Sequence, residues 1–127
     1  MPSREILAPP LLYSVIYLQI GGNRLSGHIP VEFGQLNSLQ YTLNLSHNML
    51  SGEIPTQLGN LELLDALYLN NNELEGEIPS SFGNLTGLSQ CDLSYNNLVG
   101  PIPPQLGNLE FLELLRLNNN ELEGGIP

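Results

Sequence analysis

Residues with reactive side chains are few in this chain, and they are not arranged as a catalytic set. His28, His47 and Cys91 are the candidates for acid–base or nucleophilic chemistry, since the sequence has two histidines and one cysteine. None of them stands in a motif that pairs a nucleophile with a base, and G-x-S-x-G, phosphate-loop and H-E-x-x-H motifs are absent. We therefore expect no catalytic residue, no enzymatic activity and no cofactor, and we expect both histidines to lie on the solvated surface.

Acidic residues form a regular pattern of their own. Glutamates alternate with other residues at Glu73, Glu75 and Glu77, and the pattern recurs at Glu121 and Glu123, with Glu53 earlier in the chain. Two interpretations are open: a surface for a basic partner or a weakly held cation, or a solvated edge that opposes aggregation. Calcium needs oxygen ligands that converge on one point, and the pattern does not supply them, so we expect no metal site.

Composition excludes several classes of protein. The 127 residues are enough for one domain and carry a formal net charge of -10, with three arginines and no lysine. Because so few cations neutralise few phosphates, nucleic acid is excluded as a partner and an anionic membrane surface is disfavoured. The single cysteine excludes an internal disulfide framework and a cysteine-based zinc site. The apolar stretch 11–18 is too short to cross a bilayer and lacks the features of a signal peptide.

The chain is built from an internal repeat. An L-x-L-x-x-N run recurs along it with spacings of 25, 24, 24 and 24 residues between its asparagines, which are Asn23, Asn48, Asn72, Asn96 and Asn120. Around each asparagine the pattern continues as N-x-L-x-G-x-I-P. The third and fifth copies are near duplicates, since 57–79 and 105–127 match at 18 of 23 positions. A fixed period of this length is the signature of a solenoid.

Each repeat position has a predicted role when the asparagine is numbered twelfth. Apolar residues at positions one, four, seven and nine point inward, and their alternation at seven and nine predicts a short strand with one buried face. This places Cys91, a seventh-position residue, in the core as a reduced thiol. The five asparagines form a ladder that satisfies backbone groups. The second copy has one extra residue between Leu39 and Leu43, which predicts a bulge before its strand.

The repeat resembles the plant type of leucine-rich repeat. The match runs from Asn48 through Leu50, Gly52, Ile54 and Pro55, and it recurs in phase over 12–127. The resemblance implies an α/β-type solenoid, a right-handed coil with a parallel β-sheet on its concave face and short 3₁₀ or irregular segments on its convex face. We expect an irregular segment at 1–11 and then five coils; their ranges are about 12–36, 37–60, 61–84, 85–108 and 109–127.

The solvent side of the strand is the best candidate for a binding site. It comprises positions five, six, eight, ten and eleven of each coil, and we call it the concave face. These positions are rich in Tyr, Asn and Ser, which make contacts at low entropic cost. An exposed strand face carries polar residues in any case, so this interpretation has a plain alternative. The candidate ligand-binding residues are Tyr17, Gln19, Tyr41, Asn44, His47, Asp65, Tyr68, Asn70, Gln90, Asp92, Tyr95, Glu113, Arg116 and Asn118.

Two N-x-S/T sequons mark candidate glycosylation sites. They begin at Asn44 and Asn84. In a secreted protein both are acceptor sites, and a glycan on Asn44 would cover part of the concave face. The repeat itself generates N-L-S strings, so chance is the alternative explanation.

The resemblance also implies a function. Within the family, the stretch from Leu18 to Asn48 is similar to the last repeats before the membrane in receptor-like kinase ectodomains, where the concave face binds a protein or peptide ligand or a co-receptor ectodomain. We therefore expect an extracellular or cell-surface fragment of such a receptor. Some members capture a peptide carboxylate with an Arg-x-Arg pair; here Arg116 stands beside Leu114 and Asn118 instead.

Other interpretations stay open at this point. The chain is alternatively a secreted inhibitor of wall-degrading enzymes, an ice-binding protein, or a truncated gene product without a separate role. Ice binding needs a flat, regular array, whereas the eighth positions are mixed. The last coil stops without a cap, so we expect exposed apolar ends and self-association through them.

Overall fold

The computed structural model describes residues 18–36 and 38–127, and of Leu18 and Gln19 it describes the backbone alone. The predicted segment 1–11, the start of the array at residue 12 and the candidate residue Tyr17 therefore lie outside the described residues, as does the side chain of Gln19.

Two parallel β-sheets run the length of the described chain, and each coil contributes one strand to each sheet. We call them sheet A and sheet B. Sheet A contains β1 (Leu18–Gln19), β3 (Thr42–Asn44), β5 (Ala66–Tyr68), β7 (Gln90–Asp92) and β9 (Leu114–Arg116) in that order. Sheet B contains β2 (Ser26–His28), β4 (Met49–Glu53), β6 (Glu73–Glu77), β8 (Asn97–Pro101) and β10 (Glu121–Glu123).

Short 3₁₀ helices connect sheet B to the next coil. They are Val31–Gln35, Thr56–Asn60, Ser80–Asn84 and Pro104–Asn108. Each follows a proline of the Ile-Pro pair, whose φ of -60° to -64° suits the first turn of a helix. All helical segments in the described ranges are of this 3₁₀ type. The leucine-rich-repeat solenoid predicted from the sequence is confirmed, with no α-helix in the described part of the chain.

One apolar core fills the space between the sheets and the 3₁₀ helices. Its members are leucines, among them those predicted to point inward, with three isoleucines, two phenylalanines and Cys91, most of them fully buried. In the fifth coil, the outermost one described, Leu112 and Leu117 are half-buried and Leu115 is 36% exposed. A coil in a solenoid is covered by its neighbours, so burial falls at the last coil described.

The additional residue of the second coil is Gln40. Leu39 occupies the place of Leu64, because its N–H donates to Leu36 as that of Leu64 does to Leu61. Tyr41 occupies the place of Asp65, because its carbonyl accepts from two successive N–H groups of the next coil, as the carbonyl of Asp65 does. The extra residue therefore lies two residues before β3, close to where the sequence predicts a bulge.

Candidate functional site

Sheet A aligns the concave-face positions of successive coils. At position six, Thr42, Ala66, Gln90 and Leu114 are register partners, and at position eight Asn44, Tyr68, Asp92 and Arg116 are. Strands in such a sheet stack about 4.8 Å apart, so each column presents one side chain per coil to a ligand. The structure thus brings the predicted residues of coils two to five onto one continuous surface.

Exposure within this surface is uneven. The exposed candidates are Tyr41, His47, Asp65, Tyr95, Glu113, Arg116 and Asn118, and the half-buried ones are Asn44, Tyr68, Asn70 and Gln90. Asp92 is 8% exposed, so the prediction that it faces solvent is wrong. Ser46, Ser94 and Ala66 stand at positions that were also predicted to be exposed, and they are buried.

Local hydrogen bonds explain the burial in coils two and four. Oδ1 of Asp92 accepts from the N–H of Ser94 at 3.0 Å and from its hydroxyl at 2.6 Å. Asn44 and Ser46 make the same two bonds at the same distances. Because an Asx side chain two residues before a serine can close this ring, these polar groups bond to each other where the chain leaves the strand.

In coils three to five, other contacts shape the face. The Tyr68 hydroxyl donates to Oε1 of Gln90 in the next coil. The amide of Asn70 donates to Oδ1 of Asn71 at 2.9 Å, and Asn118 and Asn119 repeat this bond at 2.8 Å. The bond to Gln90 holds the Tyr68 side chain against the sheet.

Position eleven has a left-handed backbone in every described coil, a feature that sequence reasoning missed. The residues with positive φ there are Gly22, His47, Asn71, Tyr95 and Asn119. Glycine and asparagine adopt this conformation readily, whereas a bulky aromatic residue does so at a cost. The recurrence of Gly, His and Asn at position eleven could have predicted it, because these residues are enriched at positive φ. Tyr95 stands out, since it is strained and also 52% exposed.

The asparagines at position twelve lie beneath this face and bind the backbone of two coils. The amide of Asn72 donates to the carbonyls of Leu69 in its own coil and Leu45 in the preceding one, at 3.1 and 3.0 Å. Its Oδ1 accepts from the N–H of Leu50 at 3.0 Å. Asn48, Asn96 and Asn120 make corresponding bonds. Asn23 is exposed and donates within its own coil, to the carbonyls of residues 20 and 21.

Sheet B carries the acidic pattern. Glu53, Glu73, Glu75 and Glu77 are all exposed, and Glu53 is the register partner of Glu75. The glycine of each coil is required here: Gly76 has a φ of +77°, and a Cβ on it would meet the Glu53 side chain at 2.7 Å. Among the described residues, no group of three or more His, Cys, Asp or Glu side chains is placed to hold a metal ion.

The residues with reactive side chains do not come together. His28 is exposed on sheet B, whereas His47 is exposed at position eleven beside sheet A. Cys91 is buried in the core. Burial, and secondarily the charge of Asp92, raises the pKa of its thiol from 9.0 to about 12, so the thiolate that would react is scarce.

The two sequons differ in their surroundings. Asn84 is exposed at the end of its 3₁₀ helix, on the side of the coil away from sheet A. Asn44 is half-buried in β3, and its Oδ1 is bonded to Ser46. In the described part of the chain, no helix is long and apolar enough to span a membrane.

Comparison of the sequence with models of known protein families identifies one family. The model of the family described as Leucine Rich Repeat matches residues 14–36, 41–61, 63–85 and 87–109. A search of curated proteins found no match.

Similar solved structures include proteins of more than one kind. The ectodomain of the plant membrane receptor kinase GASSHO1/SCHENGEN3 from Arabidopsis thaliana, in complex with CASPARIAN STRIP INTEGRITY FACTOR 2, is 36% identical with a TM-score of 0.90. This chain is covered over 97% of its length and spans 15% of that protein. For the BIR3–SERK2 complex from Arabidopsis thaliana the identity is 42% and the TM-score 0.82, covering 87% of this chain and 58% of that one. A plant ice-binding protein is 36% identical with a TM-score of 0.85, and the match covers 96% of this chain and 39% of that protein.

Proposed function

Since the chain belongs to the leucine-rich-repeat family, we propose that it recognises a protein or peptide ligand through its concave face. The observation that carries the proposal is the aligned columns of sheet A. Beneath them the scaffold repeats, with Leu43, Leu67 and Cys91 in register. Above them the side chains change from coil to coil. A constant frame with a variable polar and aromatic surface suits recognition of a particular partner.

The tyrosines are the proposed anchors of this surface. Tyr41 and Tyr95 are both about half exposed, and Tyr68 is half-buried and fixed by its bond to Gln90. Tyrosine combines a large apolar ring with a hydroxyl and loses little entropy when it is immobilised. Arg116 adds the positive charge of the face, one coil beyond Asp92.

We further propose that the chain works outside the cell as part of a plant receptor-like kinase ectodomain. Support comes from the similarity to a plant receptor kinase ectodomain crystallised with CASPARIAN STRIP INTEGRITY FACTOR 2, and from the similarity to the BIR3–SERK2 complex. The ligand would then be a peptide or a co-receptor ectodomain. In that setting the exposed Asn84 would carry a glycan away from the concave face.

Panning a random peptide library on the immobilised chain tests the concave-face assignment. Peptides that it enriches should bind the Tyr95→Asn and Tyr68→Phe double variant at least about tenfold more weakly. Ser80→Ala, on a 3₁₀ helix remote from sheet A, is the matched control and should bind as the wild type does. Unchanged affinity of the double variant, in a chain whose thermal unfolding is intact, would contradict the assignment.

A second candidate function is ice binding, which the similarity to a plant ice-binding protein favours. The surface in question would be a flat array of like side chains. Position eight of sheet A instead carries Asn44, Tyr68, Asp92 and Arg116, which differ in size and charge. Thermal hysteresis of the purified chain, measured against bovine albumin, would identify this function, and its absence would leave peptide recognition as the proposal.

A further inference from the structure

A notch lies at the edge of sheet A where the chain enters its strands in coils three to five. It has a volume of about 510 Å³. The entry segment of coil four reads Thr86-Gly87-Leu88-Ser89, with small uncharged residues outside the core leucine. The matching segments of coils three and five are Glu62–Asp65 and Glu110–Glu113, whose side chains outside the core leucine are acidic or bulky and apolar. The notch is therefore the space left by small residues between two bulky coils.

Gly87 forms the floor of this notch. Its backbone φ is not in the left-handed region, and a Cβ on it would come no closer than 3.8 Å to any neighbour. Neither the backbone conformation nor the space around Gly87 therefore requires glycine at this position. The equivalent residues in the flanking coils are Leu63 and Phe111, which are 58% and 63% exposed. Apolar side chains this exposed on either side of an open floor are typical of a contact site.

Carboxylates surround the notch. Asp65, Glu110 and Glu113 line it, and no basic side chain is among the described residues that do so. Oγ of Ser89 lies 2.8 Å from Oδ1 of Asp65 and 3.1 Å from its carbonyl oxygen, which fixes that carboxylate at one wall. The carbonyl of Ser89 accepts from the N–H of Glu113 at 2.8 Å, which ties the opposite wall to the same residue.

The near-duplicate coils differ at these walls. Between 57–79 and 105–127 only five positions differ, and two of them are Leu63/Phe111 and Asp65/Glu113. In coil five the apolar wall is thus an aromatic ring and the acidic side chain is longer by one methylene. An exposed aromatic ring beside carboxylates attracts a cation both by its π face and by charge.

We propose that the notch binds an arginine side chain of the ligand. Its apolar stem would pack on Gly87 and against Phe111, while the guanidinium would meet the carboxylates of Asp65 and Glu113. This deepens the proposed function and rests on it, because Asp65 and Glu113 belong to the concave face. The peptide or protein recognised there would carry an arginine at the point where it crosses the entry edge of coil four.

The test is an NMR titration of the ¹⁵N-labelled chain with acetyl-Gly-Arg-Gly-amide. We expect saturable shifts centred on the amides of Gly87 and Ser89, and at least about tenfold weaker binding of the citrulline counterpart, which is isosteric but uncharged. Gly87→Leu should abolish the shifts by filling the notch, and Phe111→Leu should weaken binding several-fold. Gly107→Leu is the matched control, because Gly107 also has open space around its Cβ position but lies in a 3₁₀ helix.

Several results would overturn the proposal. They are equal binding of the arginine and citrulline peptides, shifts that persist in Gly87→Leu, and the lack of any saturable shift. The library-derived peptides separate this failure from that of the proposed function. If they lose affinity for the tyrosine variant but bind Gly87→Leu normally, the concave face stands and the notch does not; if neither variant affects them, both proposals fail.

Discussion

The two sides of sheet A follow different rules, although they alternate along the same strands. On the inward side position seven holds Leu43, Leu67 and Cys91, all nearly inaccessible. On the outward side position eight changes from coil to coil between amide, phenol, carboxylate and guanidinium. Stacking of coils constrains the inward side, because a cavity or a misfit there costs stability. The outward side is free to vary, and recognition is therefore assigned to it.

The largest expected effect is the protection of Cys91 on the inward side. Because its pKa rises from 9.0 to about 12, the native thiol should react with Ellman's reagent about a thousandfold more slowly than the unfolded chain at about pH 8. The absorbance of released thionitrobenzoate, with and without guanidinium chloride, measures this ratio. The raised pKa also favours the folded state below pH 9, and that stabilisation is lost as the pH rises toward 12. Rapid native labelling would contradict the core position.

The next effect concerns two asparagines, Asn70 on the concave face and Asn72 beneath it, which are two residues apart in the sequence. Asn72→Ala should destabilise the chain by about 3 kcal/mol, because it leaves the N–H of Leu50 without an acceptor and removes one of the two amide donors to the carbonyl of Leu45, the other being Asn48. Asn70→Ala removes one bond to Asn71 and should cost less than about 0.5 kcal/mol. Urea unfolding followed by circular dichroism compares the two. Equal losses would show that the ladder contributes no more than the face.

Much of this architecture could be predicted from the sequence, because the Asn23 to Asn120 spacing and the inward leucines report constraints that recur in every coil. The burial of Asp92 could not be predicted from its column alone. It depends on a ring of hydrogen bonds between Asp92 and Ser94. Asn44 and Ser46 form the same ring, so an Asp or Asn two residues before a serine is the sequence feature that could have predicted it. The notch at Gly87 is likewise a property of three adjacent coils and not of one repeat.

Asp92 stands at an outward position of sheet A and is nevertheless buried. Substitutions of Asp92 test whether its hydrogen bonds to Ser94 are the reason. Asp92→Ala should cost about 1–2 kcal/mol, because the N–H of Ser94 loses its acceptor. Asp92→Asn should stay within about 0.5 kcal/mol of the wild type, since Asn44 makes the same ring in coil two. The measurement is again urea unfolding. An equally costly Asp92→Asn would mean that the charge is needed and that the ring does not explain the burial.

The smallest effect should appear at Tyr95, and its sign is the informative part. A tyrosine with a φ of +58° carries a backbone strain that asparagine tolerates better, so Tyr95→Asn should stabilise the chain by about 1 kcal/mol. Tyr95→Phe keeps the strain and removes only the hydroxyl, and should leave the free energy of unfolding unchanged. If the tyrosine is retained for recognition, the asparagine variant should be more stable and yet bind the enriched peptides more weakly. A variant that gains stability without losing affinity would remove Tyr95 from the binding site while leaving the strained backbone as a fact of the fold.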